Sequence, residues 1–419
     1  MTDSGPIGPG ATIGIVGGGQ LGRMLAAAAQ RCGYRVHVLA PEERPPAAVF
    51  ADSHTAAAYD DVAAVTAFAA AVDVMTFEFE NVSSAALAAA GSLTTVRPSP
   101  TVLHVTQDRS REKDFLVRSG LPVAPFRLVS DARSLPDAVA AIGTPCIVKT
   151  AGFGYDGKGQ VVLAGAGSAA AWTAAVALAE AGPVVVEKRI DLALELSVVA
   201  ARTPAGATAT FAPLVNKHVD QVLDLSFTPE LVDASAAAGE GAMTAVAGAG
   251  TRLSRAVSER ALELSTRIMT ALDVIGLCCV EFFLSRDGEL LVNEVAPRPH
   301  NSGHLTLEAA ATDQFEQQLR AVCGLPLGST RLLSPAAMVN LLGDLWQTGE
   351  PDFGAALTQA GVTLHLYGKS EARPGRKMGH LTATAPDAAA AVAAVTAARG
   401  AMTLRTSETQ SSPLRNPLR

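Results

Sequence analysis

The sequence has little charge and no long apolar run. Of its 419 residues, 17% are charged and 48% are hydrophobic, which is typical of a globular chain with ample material for burial. No unbroken apolar run is long enough to cross a membrane, and residues 1–10 lack the basic segment and apolar core of a secretory signal. We therefore expect a cytoplasmic protein without a membrane partner, and the length favours two or three domains.

The sequence also lacks a cysteine pattern and an excess of positive charge. Its five cysteines are odd in number and scattered, at Cys32, Cys146, Cys278, Cys279 and Cys323. Such a set favours reduced, buried thiols in an enzyme over a disulfide framework or a zinc site. The formal net charge of −7 argues against a nucleic-acid partner, although it permits local basic pockets.

The first hundred residues contain a glycine-rich turn between a strand and a helix. A buried strand at 11–16 runs into Gly17-Gly18-Gly19-Gln20-Leu21-Gly22, and a helix to Cys32 and a second strand follow. This G-x-G-x-x-G pattern in a βαβ unit predicts a Rossmann-like domain over 11–105. A dinucleotide site also needs an acid after the second strand, where Glu42 is a mediocre match. A glycine turn kept for helix–sheet packing is the competing interpretation.

A second strand of this region ends in carboxylates. Residues 72–82 predict a strand that finishes with Glu78, Glu80 and Asn81. Because the carboxyl ends of strands line the ligand crevice of an open α/β sheet, we expect these side chains to face the glycine turn. Arg97-Pro98-Ser99-Pro100 marks the end of the domain.

The middle of the chain contains groups suited to phosphate. A helix that begins at Asp108 places Arg109 in its first turn, where a cation is unfavourable unless an anion lies near. Lys149 ends a strand that enters a glycine-rich hairpin at 151–160, whose backbone N–H groups can contact phosphates. The hairpin is not a Walker A loop, because no G-K-[ST] opens a helix. A flexible hairpin without a ligand is the other interpretation.

An acidic hairpin follows this region. Two β-rich runs flank Asp287-Gly288, which is a strong hairpin signal. A two-residue loop would set Glu281 opposite Glu294, with Cβ atoms about 5 Å apart and like charges that repel. Mg²⁺ bound between them would remove the repulsion, whereas a solvated edge hairpin with two unrelated acids needs no metal. A regular strand turns Asn293 away from the face of Glu294, so both can reach one ligand only if the strand bends there.

Four motifs in this order resemble one family of the ATP-grasp superfamily. They are GGGQLGRM from Gly17, FEFENV from Phe77, GYDGKGQ from Gly154, and the run from Asn293 to His304. They are similar to the 5-(carboxyamino)imidazole ribonucleotide synthase family, and the resemblance spans about residues 11–385. It implies an α/β and α+β chain with an ATP-grasp fold. The expected parts are an N-terminal Rossmann-like domain (11–105), an ATP-grasp domain (106–300), a small C-terminal domain (301–405) and a disordered tail (406–419).

The resemblance implies a reaction and its small-molecule partners. The family uses ATP and bicarbonate to carboxylate 5-aminoimidazole ribonucleotide, through carboxyphosphate, in de novo purine biosynthesis. This chain would then be an ATP-dependent carbon–nitrogen ligase and a homodimer. Its expected metal ligands are Glu281 and Glu294, which would bind Mg²⁺ or Mn²⁺. The implied nucleotide contacts are Arg109, Lys149, Gly154, Tyr155, Asp156, Gly157, Lys158, Gly159, Gln160, Glu187, Lys188, Arg189, Ile190, Glu195, His218, Asn293 and Glu294.

The resemblance also implies a substrate pocket. Arg298, His300 and Asp156 are expected to take part in the chemistry. The Arg298 fork suits a planar oxyanion such as bicarbonate. His300 would either accept the proton of the attacking amine or bind the intermediate. The implied substrate contacts are Gln20, Leu21, Glu78, Tyr155, Arg298, His300, Lys369 and Arg376.

Two other functions compete with this reading. A different ATP-grasp ligase, such as a formate-dependent glycinamide ribonucleotide transformylase, would keep the nucleotide site and change the acceptor. An NAD-dependent dehydrogenase would explain the first glycine turn, but it would leave Lys149, the second glycine loop and the acidic hairpin unused.

Overall fold

The N-terminal region forms a parallel sheet. The structure is a computed structural model that describes residues 5–152, 159–165, 168–233 and 251–402. The strands of this sheet are β1 (Thr12–Val16), β2 (Arg35–Ala40), β3 (Ser53–Ala56), β4 (Val74–Phe77) and β5 (Thr95–Val96), and its helices are α1 (Gln20–Arg31), α2 (Val62–Ala69) and α3 (Ser84–Ala90). The strand order is β3-β2-β1-β4-β5, with every neighbouring pair parallel. The predicted βαβ start is therefore confirmed.

The glycine turn between β1 and α1 encloses a carboxylate of the protein itself. Glu78, just past β4, accepts hydrogen bonds from the backbone N–H of Gly19 at 2.6 Å and of Gly22 at 2.9 Å. Gly17 has φ +121, and a Cβ there would collide with the Glu78 side chain. Because the N-terminus of a helix is where a bound anion would sit, Glu78 takes the position that a dinucleotide phosphate would need. The packing interpretation of the glycine pattern is the one that the geometry favours.

A small antiparallel sheet follows. Two helices lead into it, α4 (Pro100–Thr106) and α5 (Arg109–Arg118). The strands are β6 (Phe126–Val129), β7 (Cys146–Thr150), β8 (Gln160–Leu163) and β9 (Val184–Lys188), in the order β6-β9-β7-β8, and α6 (Leu135–Ile142) and α7 (Ala169–Ala181) pack against them. The predicted glycine hairpin joins β7 to β8, and its tip, residues 153–158, lies outside the described residues.

The largest sheet has nine strands. They are β10 (Leu192–Arg202), β11 (Thr208–Thr210), β12 (Leu214–Val219), β13 (Val222–Phe227), β16 (Gly276–Ser285), β17 (Leu290–Ala296), β18 (Ala336–Leu342), β19 (Val362–Leu366) and β20 (Lys377–Thr384). A separate parallel pair is formed by β14 (Glu230–Val232) and β15 (Arg252–Ser254). The remaining helices are α8 (Arg255–Ala271), α9 (Thr306–Ala309), α10 (Gln314–Cys323), α11 (Phe353–Ala356) and α12 (Ala388–Ala401).

This sheet crosses the expected boundary at residue 300. Its order is β17-β16-β10-β12-β13-β18-β20-β19, with β11 beside β10. Since β13 pairs with β18, the strands after residue 335 continue the sheet formed by those before residue 300. The division at 105, 300 and 405 stays a prediction, and the expected tail at 406–419 lies outside the described residues.

Helix α10 connects the C-terminal half to the N-terminal sheet. Its Phe315, Leu319 and Val322 share one apolar core with strand β1 and helix α1. Arg31 on α1 pairs with Asp313 at 2.9 Å, at the N-terminus of α10. The N-terminal sheet is therefore packed against the segment that follows the acidic hairpin, which places Glu78 on one side of a common cleft.

The composition predicted buried cysteines and no membrane-spanning segment. Four of the five cysteines are buried, and Cys32 is only partly so. Burial raises the pKa of the Cys278 thiol to about 12, which keeps it protonated at neutral pH. No helix in the described part of the chain is long and apolar enough to span a membrane.

Candidate active site

A cleft of about 1900 Å³ lies between the three sheets. It is lined from the N-terminal side by the glycine turn and the end of β4, from another side by β7 and β9, and from below by β10, β12, β16 and β17. Most of the predicted site residues that the structure describes line it: Gln20, Leu21, Glu78, Arg109, Lys149, Gln160, Glu187, Lys188, Arg189, Ile190, Glu195, His218, Glu281, Asn293, Glu294, Arg298 and His300. Gly154, Tyr155, Asp156, Gly157 and Lys158 lie outside the described residues.

The acidic hairpin at the floor of the cleft differs from its predicted form at the loop. Ser285 donates its backbone N–H to Glu289 O at 2.9 Å, and Gly288 has φ +90. The loop therefore has three residues rather than the two predicted from Asp287-Gly288. A left-handed glycine at the third position is a usual way to close such a loop.

A β-bulge restores the predicted pairing above the loop. Phe282 faces Val292, whereas Glu281 faces Glu294, so Asn293 is an extra residue on β17. The predicted opposition of the two glutamates is thus confirmed. The bulge provides the strand bend that Asn293 and Glu294 need in order to reach one ligand, and both residues line the cleft.

The two facing glutamates differ in their protein partners. Glu281 is 3.1 Å from His300 Nε2. Burial opposes its ionisation, but His300, His218 and Arg298 outweigh burial and lower its pKa to about 2. Burial and the charge of Glu281 instead raise the pKa of Glu294. Of the two carboxylates, Glu294 is therefore the one whose ionised form a bound cation would stabilise more.

The donor set of this pair fits a hard divalent cation that also binds a ligand. Within the described residues, no group of three or more histidine, cysteine or acidic side chains is arranged to hold a metal ion alone. Two carboxylates leave most positions of an octahedral ion open, and Mg²⁺ characteristically fills such positions with phosphate and water oxygens. The residues present therefore fit a magnesium–nucleotide site.

Strand ends β7 and β9 contribute a buried charge cluster. Lys149 Nζ lies 2.7 Å from Glu187 Oε2, and Lys113 Nζ, on α5, lies 3.4 Å from Glu187 Oε1. Burial raises the pKa of Glu187, but the two lysines outweigh this and lower it to about 2. Glu187 therefore stays ionised, with Lys149 beside it at the wall of the cleft.

Glu195 and His218 form a second pair. His218 Nδ1 lies 2.6 Å from Glu195 Oε2. Burial lowers the pKa of His218, but the hydrogen bond and charge of Glu195 outweigh it, so the pKa is raised. A register irregularity between Lys217 and His218 in the β12–β13 pairing accompanies this contact. The structure brings the two predicted residues together, and their contact with nucleotide stays a prediction.

Arg298 and His300 stand between the acidic hairpin and the N-terminal sheet. Arg298 Nε lies 2.7 Å from Glu80 Oε1. Burial lowers the pKa of Arg298, but Glu80 and Glu294 outweigh burial and raise it. His300 is held at both ring nitrogens, by Ser302 Oγ at 2.8 Å and by Glu281. The two side chains are thereby fixed next to the glutamate pair.

Lys369 and Arg376 lie in the segment between β19 and β20, and neither is among the described residues that line the cleft. Lys369 Nζ donates to Lys377 O at 2.6 Å, and Arg376 donates to Glu371 O at 2.9 Å. The charge of Lys369 nevertheless reaches Glu78, whose pKa burial raises and Lys369 helps to hold down. Lys369 therefore lies on the N-terminal side of the site, within electrostatic reach of Glu78.

Three residues at the site were not predicted from the sequence. Glu112 and Lys113 of α5 are 3% and 2% exposed, and they contact β17. Asn301 lines the cleft, and neither atom of its buried amide has a hydrogen-bond partner among the described residues. An unsatisfied buried amide costs about 1–3 kcal/mol, which suits a residue that meets a ligand. Its place directly after His300 is the one sequence signal for it.

The Glu112 carboxyl gives a prediction for stability against pH. Burial and the nearby charge of Glu294 raise its pKa from 4.5 to about 8. Its stabilising contribution is therefore full below about pH 4.5 and is lost as the pH rises to about 8, because the unfolded chain ionises first. In the absence of nucleotide and metal, the melting temperature of Glu112→Gln should rise relative to that of the wild type as the pH increases from 5 to 8. Calorimetry across this range checks it, and parallel curves for the two proteins would contradict it.

Comparisons with known proteins define the class. Family models match residues 10–107 (ribonucleotide synthetase preATP-grasp domain), 114–250 and 240–315 (ATP-grasp domain), and 336–394 (phosphoribosylaminoimidazole carboxylase C-terminal domain). Together with the cleft between the three sheets, these matches identify an ATP-grasp protein, as the sequence predicted.

Close relatives then define the family. The chain is 44% identical over 378 residues to N5-carboxyaminoimidazole ribonucleotide synthase of Brucella melitensis, covering 90% of this chain and 97% of that protein. It is similar to the Staphylococcus aureus N5-carboxyaminoimidazole synthetase complexed with ADP (TM-score 0.82, 34% identity, 94% and 98% of the two chains). It is also similar to the Aspergillus clavatus synthase in complex with ADP and 5-aminoimidazole ribonucleotide (TM-score 0.81, 28% identity, 94% and 98%). The chain belongs to the N5-carboxyaminoimidazole ribonucleotide synthase family, and the predicted resemblance is confirmed.

Proposed function

We propose that the protein carboxylates 5-aminoimidazole ribonucleotide to its N5-carboxy derivative with ATP and bicarbonate, as a carbon–nitrogen ligase of purine biosynthesis. The observation that carries the proposal is the meeting of three groups in one cleft. Lys149 lies at one wall, Glu281 opposes Glu294 at the floor, and Arg298 and His300 stand beside them. Family membership and the ligands of the Aspergillus relative support the same reaction.

The nucleotide would bind along β7, β9 and β10. Lys149 and Arg109 offer positive charge to the phosphates, with the amides and lysine of the loop from Gly154 to Gln160 as further contacts. The backbone from Glu187 to Ile190 would meet adenine, and Glu195, held by His218, would accept from ribose hydroxyls. In this arrangement the phosphates would point towards Asn293 and Glu294 at the floor of the cleft.

Glu281 and Glu294 would hold Mg²⁺, or Mn²⁺ in its place, together with phosphate oxygens. The ion, when bound, neutralises charge that develops on the phosphates during transfer. The protein keeps Glu281 ionised through His300 and Arg298. It also presents Glu294 from a bulged strand, so that the two carboxylates converge.

Arg298 and His300 would act on the carboxylating half of the reaction. In it, a bicarbonate oxygen attacks the γ-phosphorus of ATP and ADP leaves. Carboxyphosphate then releases phosphate and CO₂, and the amine of the ribonucleotide takes up CO₂ and loses a proton. Arg298 suits the planar oxyanion, because its guanidinium fork matches two oxygens. His300, which contacts Glu281 and Ser302, would accept the proton lost by the amine or bind the intermediate.

The acceptor ribonucleotide would lie between the hairpin and the N-terminal sheet. Gln20, Leu21 and Glu78 line that side of the cleft. Lys369 and Arg376, which lie outside the cleft lining, would add positive charge for its phosphate. Tyr155 and Asp156 belong to the same proposal, from outside the described residues. A cytoplasmic location, which rests on the composition, and a homodimer, which rests on the family resemblance, complete the proposal.

Substrate-dependent ADP release tests the proposal. Purified protein with ATP, Mg²⁺, bicarbonate and 5-aminoimidazole ribonucleotide should release ADP, and omission of the ribonucleotide should reduce the rate. Glycinamide ribonucleotide with formate should not support release. ADP release only in this second mixture would favour the formate-using ligase, and none in the first mixture would refute the proposed function.

A further inference from the structure

The bulge at Asn293 needs support from outside the sheet. Strand β17 lies at the edge of the nine-stranded sheet, and a bulge leaves its extra residue without a ladder partner. Backbone groups that point away from β16 must therefore find other partners. The segment from α5 to the loop after it provides them.

Three contacts tie the outer edge of β17 to this segment. Pro122 O accepts from the Val292 N–H at 2.7 Å. Lys113 Nζ donates to Asn293 O at 3.0 Å, and Glu112 Oε1 accepts from the Val295 N–H at 2.6 Å. The two side-chain contacts flank Glu294 on both sides. The peptide groups around the extra residue are thus fixed by one helix.

The burial of Glu112 and Lys113 carries a desolvation cost in the free energy of folding. Glu112 and Lys113 are almost fully buried ionisable side chains at adjacent positions of α5. An apolar residue of similar size is often at least as stabilising at a buried position, so fold stability alone does not account for the pair. Their bonds go to the backbone on either side of Glu294, and Lys113 also contacts Glu187 in the lysine cluster.

We propose that Glu112 and Lys113 are positioning residues for the metal–nucleotide site, which they serve by fixing the bulge that turns Asn293 and Glu294 towards one ligand. The inference rests on the proposed function for the identity of that ligand. It assigns no direct contact with metal to either residue. Without the pair, β17 can relax to a regular strand, and one of the two side chains then turns out of the cleft.

Direct metal binding tests this inference without relying on turnover. Mn²⁺ can be titrated into the protein–ADP complex, and free Mn²⁺ measured by electron paramagnetic resonance. Glu112→Leu and Lys113→Met should weaken Mn²⁺ binding about tenfold or more, the range found for residues that orient metal ligands. Glu112→Gln keeps an oxygen acceptor for the Val295 N–H, and Lys113→Arg keeps a donor for Asn293 O, so each should recover most of the loss.

ADP binding in the absence of metal separates positioning from general structural damage. A positioning role predicts that metal-free ADP affinity changes far less than Mn²⁺ affinity in Glu112→Leu. Equal weakening of both would overturn the inference, as would Mn²⁺ binding equal to the wild type in both disruptive variants. Asp114→Leu, on the same helix and 45% exposed, is the matched control and should bind Mn²⁺ normally.

A second variant covers failure to fold. Should Glu112→Leu not fold, Glu112→Asp retains a carboxyl group but withdraws it from the Val295 N–H. It should weaken Mn²⁺ binding in the same direction, and normal binding would overturn the inference. Wild-type protein that binds Mn²⁺–ADP but releases no ADP with 5-aminoimidazole ribonucleotide would refute the proposed reaction and leave the positioning comparison intact.

Discussion

Glu294→Ala is expected to reduce ADP release with bicarbonate and 5-aminoimidazole ribonucleotide by about 10³-fold or more, since a bound metal supplies several kcal/mol to transfer. Glu294 faces Glu281 across the bulged pair, and burial and this neighbour raise its pKa. Removing one of the two carboxylates leaves too few oxygen ligands to hold the ion between the phosphates. Steady-state ADP release at increasing Mg²⁺ concentration measures the effect.

Glu289→Ala is the matched control for this variant. Glu289 lies on the same hairpin, four residues before the extra residue Asn293, but its side chain is exposed at the loop. It should keep both the rate and the Mg²⁺ dependence of the wild type. Because Glu294→Ala relieves repulsion with Glu281, its melting temperature should not fall. Near-normal turnover in Glu294→Ala would contradict the metal role.

Arg298→Ala is expected to lower the rate by about 10²–10³-fold, the range for removal of one preorganised donor from a reacting oxyanion. The guanidinium is partly buried, lines the cleft, and lies 2.7 Å from the Glu80 carboxylate. Bicarbonate and carboxyphosphate both carry oxygens that its fork can grip in pairs. Arg298→Lys should recover only part of the rate, because an ammonium is a point charge without the fork.

Bicarbonate dependence identifies the cause of the loss. Arg298→Ala should raise the bicarbonate concentration needed for half-maximal rate more than it changes the value for ATP. Arg260→Ala removes an exposed arginine of α8 that pairs with Glu263 at 2.7 Å and does not line the cleft, and it should leave both values unchanged. An unchanged bicarbonate requirement in Arg298→Ala would argue against the oxyanion role.

The acidic hairpin illustrates which features were readable from the sequence. Asp287-Gly288 correctly predicted a turn, but a two-residue loop was the wrong choice, because Gly288 adopts the left-handed position that closes three residues. The pairing of Glu281 with Glu294 was nevertheless right. The extra loop residue shifts the register by one, and the extra residue at Asn293 shifts it back. The one advance sign of a bulge was that a regular strand would turn Asn293 away from the face of Glu294.

The glycine turn illustrates what depends on distant parts of the chain. Its local pattern fitted both a ligand-binding loop and a packing loop, and no local residue distinguishes them. Glu78, more than fifty residues away in sequence, supplies the carboxylate that bonds Gly19 and Gly22. Parallel pairing of β1 with β4 places it there, and this pairing is a tertiary fact.

Glu112 and Lys113 were missed for a different reason. Adjacent charges on a helix usually indicate a solvated face. Here that face is covered by the edge of β17, whose backbone needs both a hydrogen-bond acceptor and a hydrogen-bond donor. A pattern of charges does not reveal such a need unless the bulge is already known. Motifs with a glycine or acidic signature were readable, whereas the residues that support them were not.

The continuous nine-stranded sheet limits how this chain can be divided. Strand β13 pairs with β18, which in turn carries β20 and β19. A chain shortened before residue 336 would expose the long edge of β13, and open strand edges recruit other chains. The segment from residue 336 onward, about the last fifth of the protein, thus covers an edge of the sheet that would otherwise be open. Any fragment used for crystallisation, fusion or selection should carry it.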